Sequence, residues 1–222
     1  MKFILLSHQR SGTHMLGSAL STHPNLKFID VEVILHLNSQ KRGEYFHKWY
    51  YDKNNNNYDG IIIQTSQVIQ SKHLLIELLK HKNDINIVHL YRQNVLAKLV
   101  SGMIAKKTNK WRVYNTDKFD EYNGTIHVHP QHLSQTHMRY QGELAFVEML
   151  NMSSIYRVQY EELIENPNMF NELQKFLDLK IMNIKPLTIK QINRPLHIIV
   201  KNYHELKKIF LNTKLQGCFN EH

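Results

Sequence analysis

The sequence predicts an α/β fold: a three-layer sandwich with a mostly parallel central sheet. Three observations predict it. An unbroken apolar run, Phe3-Ile4-Leu5-Leu6, ends in polar residues and is followed by a helix-like pattern, as in a buried parallel strand that feeds a helix. The same order returns at Ile85-Asn86-Ile87-Val88-His89-Leu90-Tyr91, with Asn94 and a helical stretch behind it. It returns again at Ser154-Ile155-Tyr156-Arg157-Val158-Gln159-Tyr160, with a helix expected over 169–177.

Taken in order, residues 2–7 read as the first strand and 13–21 as the first helix, ended by His23-Pro24-Asn25. In 27–35, Val31 and Val33 alternate with Asp30 and Glu32, while the pairs Phe28-Ile29 and Ile34-Leu35 break the alternation. A short strand leading into a second helical stretch is expected there. Residues 43–51 read as helix, 52–60 as a low-complexity loop and 61–64 as a short strand. An amphipathic helix is expected over 71–81, with Leu74, Leu75, Leu78 and Leu79 on one stripe, broken by Asn83-Asp84. Residues 85–91 form a strand and 95–107 a helix, with Asn94 as its N-cap. Residues 111–123 are irregular and aromatic-rich, 125–129 a candidate strand, 133–149 a long helix. The tail carries a basic loop, 190–195, and a helix over 202–211 whose Tyr203, Leu206 and Phe210 form a core stripe.

Composition narrows the class. The chain has 222 residues, 42% apolar and 21% charged, which fits one globular domain, 1–222, with a sizeable core. Its net charge of +9 suits a polyanionic ligand, an acidic substrate or nucleic acid. A single cysteine, Cys218, excludes an internal disulfide and a thiolate cluster. No apolar run approaches a membrane span, and residues 3–6 are too short for a signal-peptide core, so a cytoplasmic protein is expected.

The chemistry concentrates in Gln9-Arg10-Ser11-Gly12-Thr13-His14-Met15-Leu16, a loop between strand and helix. Such a loop can aim backbone N–H groups and a helix N-terminus at an anion. Gly12 lets the backbone approach closely, and Arg10 and Thr13 add charge and a hydroxyl. It is not a Walker A loop: there is no first glycine and no lysine after Gly12. The competing reading is an ordinary turn with Thr13 as a helix cap. Farther on, Arg92 sits at a strand's carboxyl end, where open sheets bind ligands. Ser101 lies about two turns into the next helix. The pair can grip one phosphate only if that helix doubles back beside the strand end; spacing alone favours a surface arginine and a helix serine.

Glu32 follows the first helix, where the chain returns near the loop; by itself it reads as a solvent-facing carboxylate. His36 is a rival base and His14 a more remote one, though 15 histidines make any single one weak. His127, His129, His132 and His137 invite a metal, but no carboxylate or cysteine joins them and Pro130 splits the run. They read as structural or solvated, and no metal is expected. Glu161 and Glu162, adjacent at a helix start, read as structural.

Two of these segments resemble one family. Residues 9–16 resemble the 5′-phosphosulfate loop of sulfotransferases that use 3′-phosphoadenosine 5′-phosphosulfate (PAPS), often Lys/Arg-Ser/Thr-Gly-Thr-x-x-Leu. Leu90-Tyr91-Arg92-Gln93-Asn94-Val95-Leu96-Ala97-Lys98-Leu99-Val100-Ser101 resembles their 3′-phosphate segment, and Ala105-Lys106-Lys107-Thr108-Asn109-Lys110-Trp111 resembles a bacterial-type subgroup. Tyr160-Glu161-Glu162-Leu163, Asn166-Pro167 and Phe176-Leu177 resemble the family's Y-E-x-L, P and F-L run.

The resemblance implies a P-loop-NTPase-like fold and transfer of a sulfuryl group from PAPS, with PAP as product, to an acceptor hydroxyl or, less favoured, an amine. It implies that the backbone from Ser11 to Met15, with Gly12, Thr13 and His14 between, holds the phosphosulfate. Arg10 would offset charge on the leaving oxygen, and Arg92 and Ser101 would bind the 3′-phosphate. Glu32 would be the general base, although Val31 stands where a glycine is common. Lys190 and Arg194 would lie over the nucleotide by position, without the usual Arg-Lys-Gly signature. No metal is implied. Carbohydrate, lipid, peptide tyrosine and small-metabolite acceptors all stay open. The alternatives are a nucleotide-dependent phosphoryl transferase, which lacks the P-loop lysine and an evident Mg²⁺ aspartate, and a non-enzymatic polyanion-binding protein. Scattered basic residues and the lack of a nucleic-acid motif argue against a nucleic-acid partner.

Overall fold

The structure is a computed structural model and describes residues 2–28, 32, 34–52, 58–118, 121–191 and 193–220. Strand β1 (Phe3–Ser7) leads into helix α1 (Thr13–Ser21), then α2 (Ser39–Tyr51), β2 (Gly60–Gln64), α3 (Thr65–Ile69) and α4 (Lys72–Lys80). Next come β3 (Asn86–Tyr91), α5 (Val95–Thr108), α6 (Pro130–Met149), β4 (Ile155–Gln159), α7 (Tyr160–Glu165) and α8 (Asn168–Phe176). The chain finishes with α9 (Leu196–Ile199), α10 (Tyr203–Ile209) and a 3₁₀ turn, Gln216–Phe219.

The described sheet has four strands in the order β2-β1-β3-β4, and every pairing is parallel. All five β1 residues are buried because both faces of the strand are covered. Phe3 and Leu5 pack with Leu16 and Leu20 of α1 and Leu173 of α8. Ile4 and Leu6 pack on the opposite face with Phe46 and Trp49 of α2 and Leu74 and Leu78 of α4. This alternation makes the three layers. Truncating Leu5 to alanine removes a side chain in full contact and costs about 2–5 kcal/mol. A third apolar cluster joins α5 and α6 to the C-terminal segment through Leu96, Leu133, Tyr203, Leu206 and Phe219.

The strand order decides where a ligand belongs. From β1 the chain moves to β2 on one side, then returns across β1 to β3 on the other. The connections leaving β1 and β3 therefore diverge, and a crevice opens at their carboxyl ends.

Several expectations shift in detail. Leu79 is exposed, because α4 buries only the face that meets α2. Helix α6 begins earlier than expected, with Pro130 at its first turn, where a missing N–H costs nothing and the fixed φ suits the helix. Residues 125–129 form no strand; Ile126 makes a single parallel bridge to Val200. Phe28 bridges to Gly60; the short strand expected within 27–35 also covers residues 29–31 and 33, outside the described ones, and 34–36 form a turn. The helix after it starts only at Ser39, capped by Asn38. Residues 53–57 of the low-complexity loop also lie outside the description. Helix α3 was not expected; Gln64 and Gln67 cap it reciprocally. Among the described residues no helix is long and apolar enough to cross a membrane.

Candidate active site

The loop from β1 to α1 turns on two left-handed residues, Arg10 at φ 60° and Gly12 at φ 90°. Gly12 is required twice over: by that φ, and because a Cβ there would lie 2.6 Å from Tyr160 Cε2. Ser11 N donates to His8 O at 3.3 Å and closes the turn. The expected helix cap is not at Thr13. Gly12 occupies the cap and brings no side-chain acceptor to the first turn, while Thr13 Oγ1 donates to Ser7 Oγ at 2.9 Å. A helix start without a side-chain cap presents its N–H groups to an external anion. Ser11 Oγ is buried with no hydrogen-bond partner.

The second segment follows β3. Asn94 Oδ1 accepts from Ala97 N at 2.8 Å and caps α5. The Glu161 carboxylate accepts from Gln93 N and Asn94 N, both at 3.1 Å, so this acid serves the helix start. Arg92 lies over the Tyr160 ring at 4.5 Å, with Nε 3.8 Å from Glu161 Oε1. Its buried Nε has no hydrogen-bond partner. Helix α5 does run back beside the loop: Ser101 Oγ accepts from Arg10 Nη2 at 2.8 Å and Nε at 3.1 Å.

These cations gather. Burial, then the charge of Arg92, pushes Arg10 below its usual range, while Tyr160 and Glu32 oppose that. Lys190 is lowered by burial and then by Arg92, so it too stands within reach of the cluster. Like charges held this close, in partly desolvated surroundings, favour an anion between them. Strand pairing brings Lys190 there. Ile189 N donates to Val113 O at 3.0 Å and Asn115 N to Leu187 O at 2.9 Å, so 113–115 and 187–189 form a short ribbon. The same crossing places Trp111 O 2.7 Å from Arg10 Nη1 and its half-exposed ring 5.9 Å from that guanidinium.

Glu32 stands at the β2 end of the crevice. Its Oε2 accepts from Gln64 Nε2 at 2.6 Å, and Gln64 is the last residue of β2, in register with Ser7 of β1. His36 is exposed in a turn beyond it, and His14 and Met15 are half-buried in the first turn of α1. Arg194 donates through Nη2 to Tyr122 O at 2.9 Å and Gly124 O at 2.8 Å, which ties its loop to the 122–124 turn.

Residues 1–208 match a sequence family described as the sulfotransferase domain. The chain belongs to the sulfotransferase family. No curated protein matches its sequence. Among solved structures, a sulfotransferase from Alicyclobacillus acidocaldarius is similar at TM-score 0.53 and 11% identity, covering 100% of this chain and 96% of that one. The sulfotransferase domain of the Synechococcus PCC 7002 olefin synthase matches at TM-score 0.52 and 13% identity, over 99% and 86%. The sulfotransferase domain of the curacin biosynthetic pathway matches at 0.50 and 12%, over 98% and 88%. At these identities the likeness shows a common fold.

In this sulfotransferase the loop after β1 and the segment after β3, both singled out in the sequence, meet through the Arg10–Ser101 contact. Sequence reasoning missed Gln64 and the capping use of Glu161, and read Trp111 only as the end of a family-like segment, because each acts through a neighbour distant in the chain. Tyr160 was visible only as part of the Y-E-x-L run; its ring backs both Gly12 and Arg92. Among the described residues no group of three His, Cys, Asp or Glu could hold a metal ion.

Proposed function

We propose that this sulfotransferase takes the sulfuryl group from PAPS and passes it to an acceptor hydroxyl, with a carbohydrate among the candidate acceptors. The Arg10–Ser101 contact carries the reading: it joins two anion-binding segments 91 residues apart at the mouth of one crevice. The residues fit such a donor. The helix start lacks a side-chain cap, Ser11 Oγ and Arg92 Nε are buried without hydrogen-bond partners, and Gly12 leaves room where a Cβ could not stand.

Bound PAPS supplies an activated sulfuryl group whose displacement leaves PAP. The chain's own residues do the rest. Backbone N–H groups from Ser11 to Met15 hold the phosphosulfate. Arg10 offsets the charge that grows on the leaving oxygen. Glu32, oriented by Gln64, accepts the acceptor's proton, with His36 as the rival. Arg92, Ser101 and Lys190 grip the 3′-phosphate and so reject ATP. Arg194 holds the loop that carries Lys190. The reading needs no metal, takes the chain as one domain over 1–222, and places the enzyme in the cytoplasm.

Thermal unfolding with PAP, ADP or AMP without metal, and with ATP plus magnesium, tests it. A ligand at 100 times its Kd stabilises by about 2.7 kcal/mol. A shift with PAP that ADP and AMP do not match is expected. A shift with ATP and magnesium alone would overturn the reading in favour of a phosphoryl transferase.

A further inference from the structure

Beneath the anion loop lies a buried polar cluster that the donor reading does not use. His8, the residue joining β1 to the loop, is 1% exposed. Its Nδ1 is 2.7 Å from Glu143 Oε2 of α6, and its Nε2 is 2.9 Å from His89 Nε2 of β3. Tyr140, one turn before Glu143, sets its ring edge-on to His8 at 4.9 Å, and Lys98 of α5 lies over the Tyr140 ring at 4.0 Å. Other groups that face the cluster are Arg139, 3.9 Å from Glu143 Oε1, Arg157 of β4 and Tyr91 beside His89, Arg92 near Lys98, and Glu161, whose charge acts on Tyr140.

The geometry selects one protonation pattern. Burial works against the Glu143 charge, but the His8 hydrogen bond, the charge of His8 when it is protonated, and the charges of Lys98 and Arg139 keep the carboxyl below its usual range. A carboxylate only accepts, so His8 Nδ1 carries the proton and donates. Burial holds His8 down despite Glu143, so its Nε2 is bare and accepts from His89 Nε2–H. His89 Nδ1 is then a bare nitrogen, in keeping with the lack of a partner at that buried atom. Protonating His8 would set two N–H groups face to face and drive the His89 proton to Nδ1, where nothing accepts it.

Glu143 therefore reaches both donor-binding segments. Through His8 it holds the residue whose carbonyl closes the loop on Ser11. On the α5 side Lys98, one turn before Ser101, covers the ring of Tyr140, one turn before Glu143, at 4.0 Å, and its charge favours the Glu143 carboxylate. We propose that Glu143 is a positioning residue of the donor site, tying the loop after β1 to α5 from beneath and so setting the separation between the phosphosulfate cradle and the 3′-phosphate grip. The inference rests on the donor reading above.

The test is a calorimetric titration of PAP and of AMP into the full chain and its Glu143→Gln variant. Glutamine keeps the shape and an acceptor for His8 but removes the charge that faces Lys98. PAP spans both segments and AMP only one. Glu143→Gln should weaken PAP by about tenfold and leave AMP within about twofold. Equal losses for both ligands would mean a merely structural role, and an unchanged PAP affinity would mean no role; either overturns the proposal. If the wild type itself binds no PAP, the donor reading falls first. Should Glu143→Gln fail to fold, histidine nitrogen spectra of the wild type decide. His8 must be neutral with its proton on Nδ1 and His89 neutral with its proton on Nε2; a charged His8 or the opposite tautomers overturn the proposal.

Discussion

Ser101 Oγ accepts from both Nε and Nη2 of Arg10, at 3.1 and 2.8 Å. With its lone pairs used, the Ser101 hydroxyl keeps its own proton to give to an anion. The contact also holds the Arg10 side chain between the loop and α5, with Nη1 committed to Trp111 O. Neither motif alone specifies this; each supplies one partner.

Arg10→Ala should lower turnover by about 10²–10³-fold, the usual loss when one preorganised donor is removed. Arg10→Lys should recover only part of it, because an ammonium cannot serve Ser101 and Trp111 O with a planar fork. Single-turnover rates at saturating donor measure this. Full turnover in Arg10→Ala would remove the leaving-group role.

Glu32→Gln should lower the rate by about 10²–10⁴-fold, as expected for loss of a general base. Gln64 can still hydrogen-bond the new amide, so the fold around it should persist. His36→Ala, at an exposed turn, should leave the rate near wild type. The reverse pattern would move the base to His36.

Gly12→Ala should destabilise the protein by about 1–3 kcal/mol through backbone strain at φ 90°, with a further cost from the Tyr160 ring. In a Tyr160→Ala background only the collision should be relieved. Urea unfolding of the four proteins reads the coupling. Strict additivity would mean that the ring does not constrain Gly12.

The cluster around His89 gives an acid-side signature. Burial lowers His89 from 6.5 to about 3, and the charge that His8 gains when protonated, with that of Arg157, adds to this. Between those values the unfolded chain binds a proton that the folded chain refuses. Stability therefore falls as pH drops through this window, by about 1.4 kcal/mol per pH unit, and His89 contributes no slope above 6.5. His89→Gln keeps an N–H toward His8 and cannot titrate, so it should flatten the slope. An unchanged slope in urea unfolding from about pH 6.5 to 4 would sink this account.

The sequence by itself determined the layers and the order of the elements. Local patterns carry that information: the unbroken run at 3–6 means burial on both faces, Asn94 caps α5 as its position suggests, and Tyr203, Leu206 and Phe210 sit in the core as their spacing requires. The Arg-Ser-Gly-Thr stretch was legible as a tight loop between strand and helix because its signals are local. Tertiary structure alone decided the rest. Whether Ser101 meets Arg10, whether Gln64 orients Glu32, and whether Glu161 caps a helix rather than doing acid–base work all depend on contacts between residues far apart in the chain. The buried chain of His8, His89 and Glu143 draws one member each from a loop, a strand and a helix. No periodicity records such a meeting, since each hydrogen bond exists only after the sheet order has brought those three elements together.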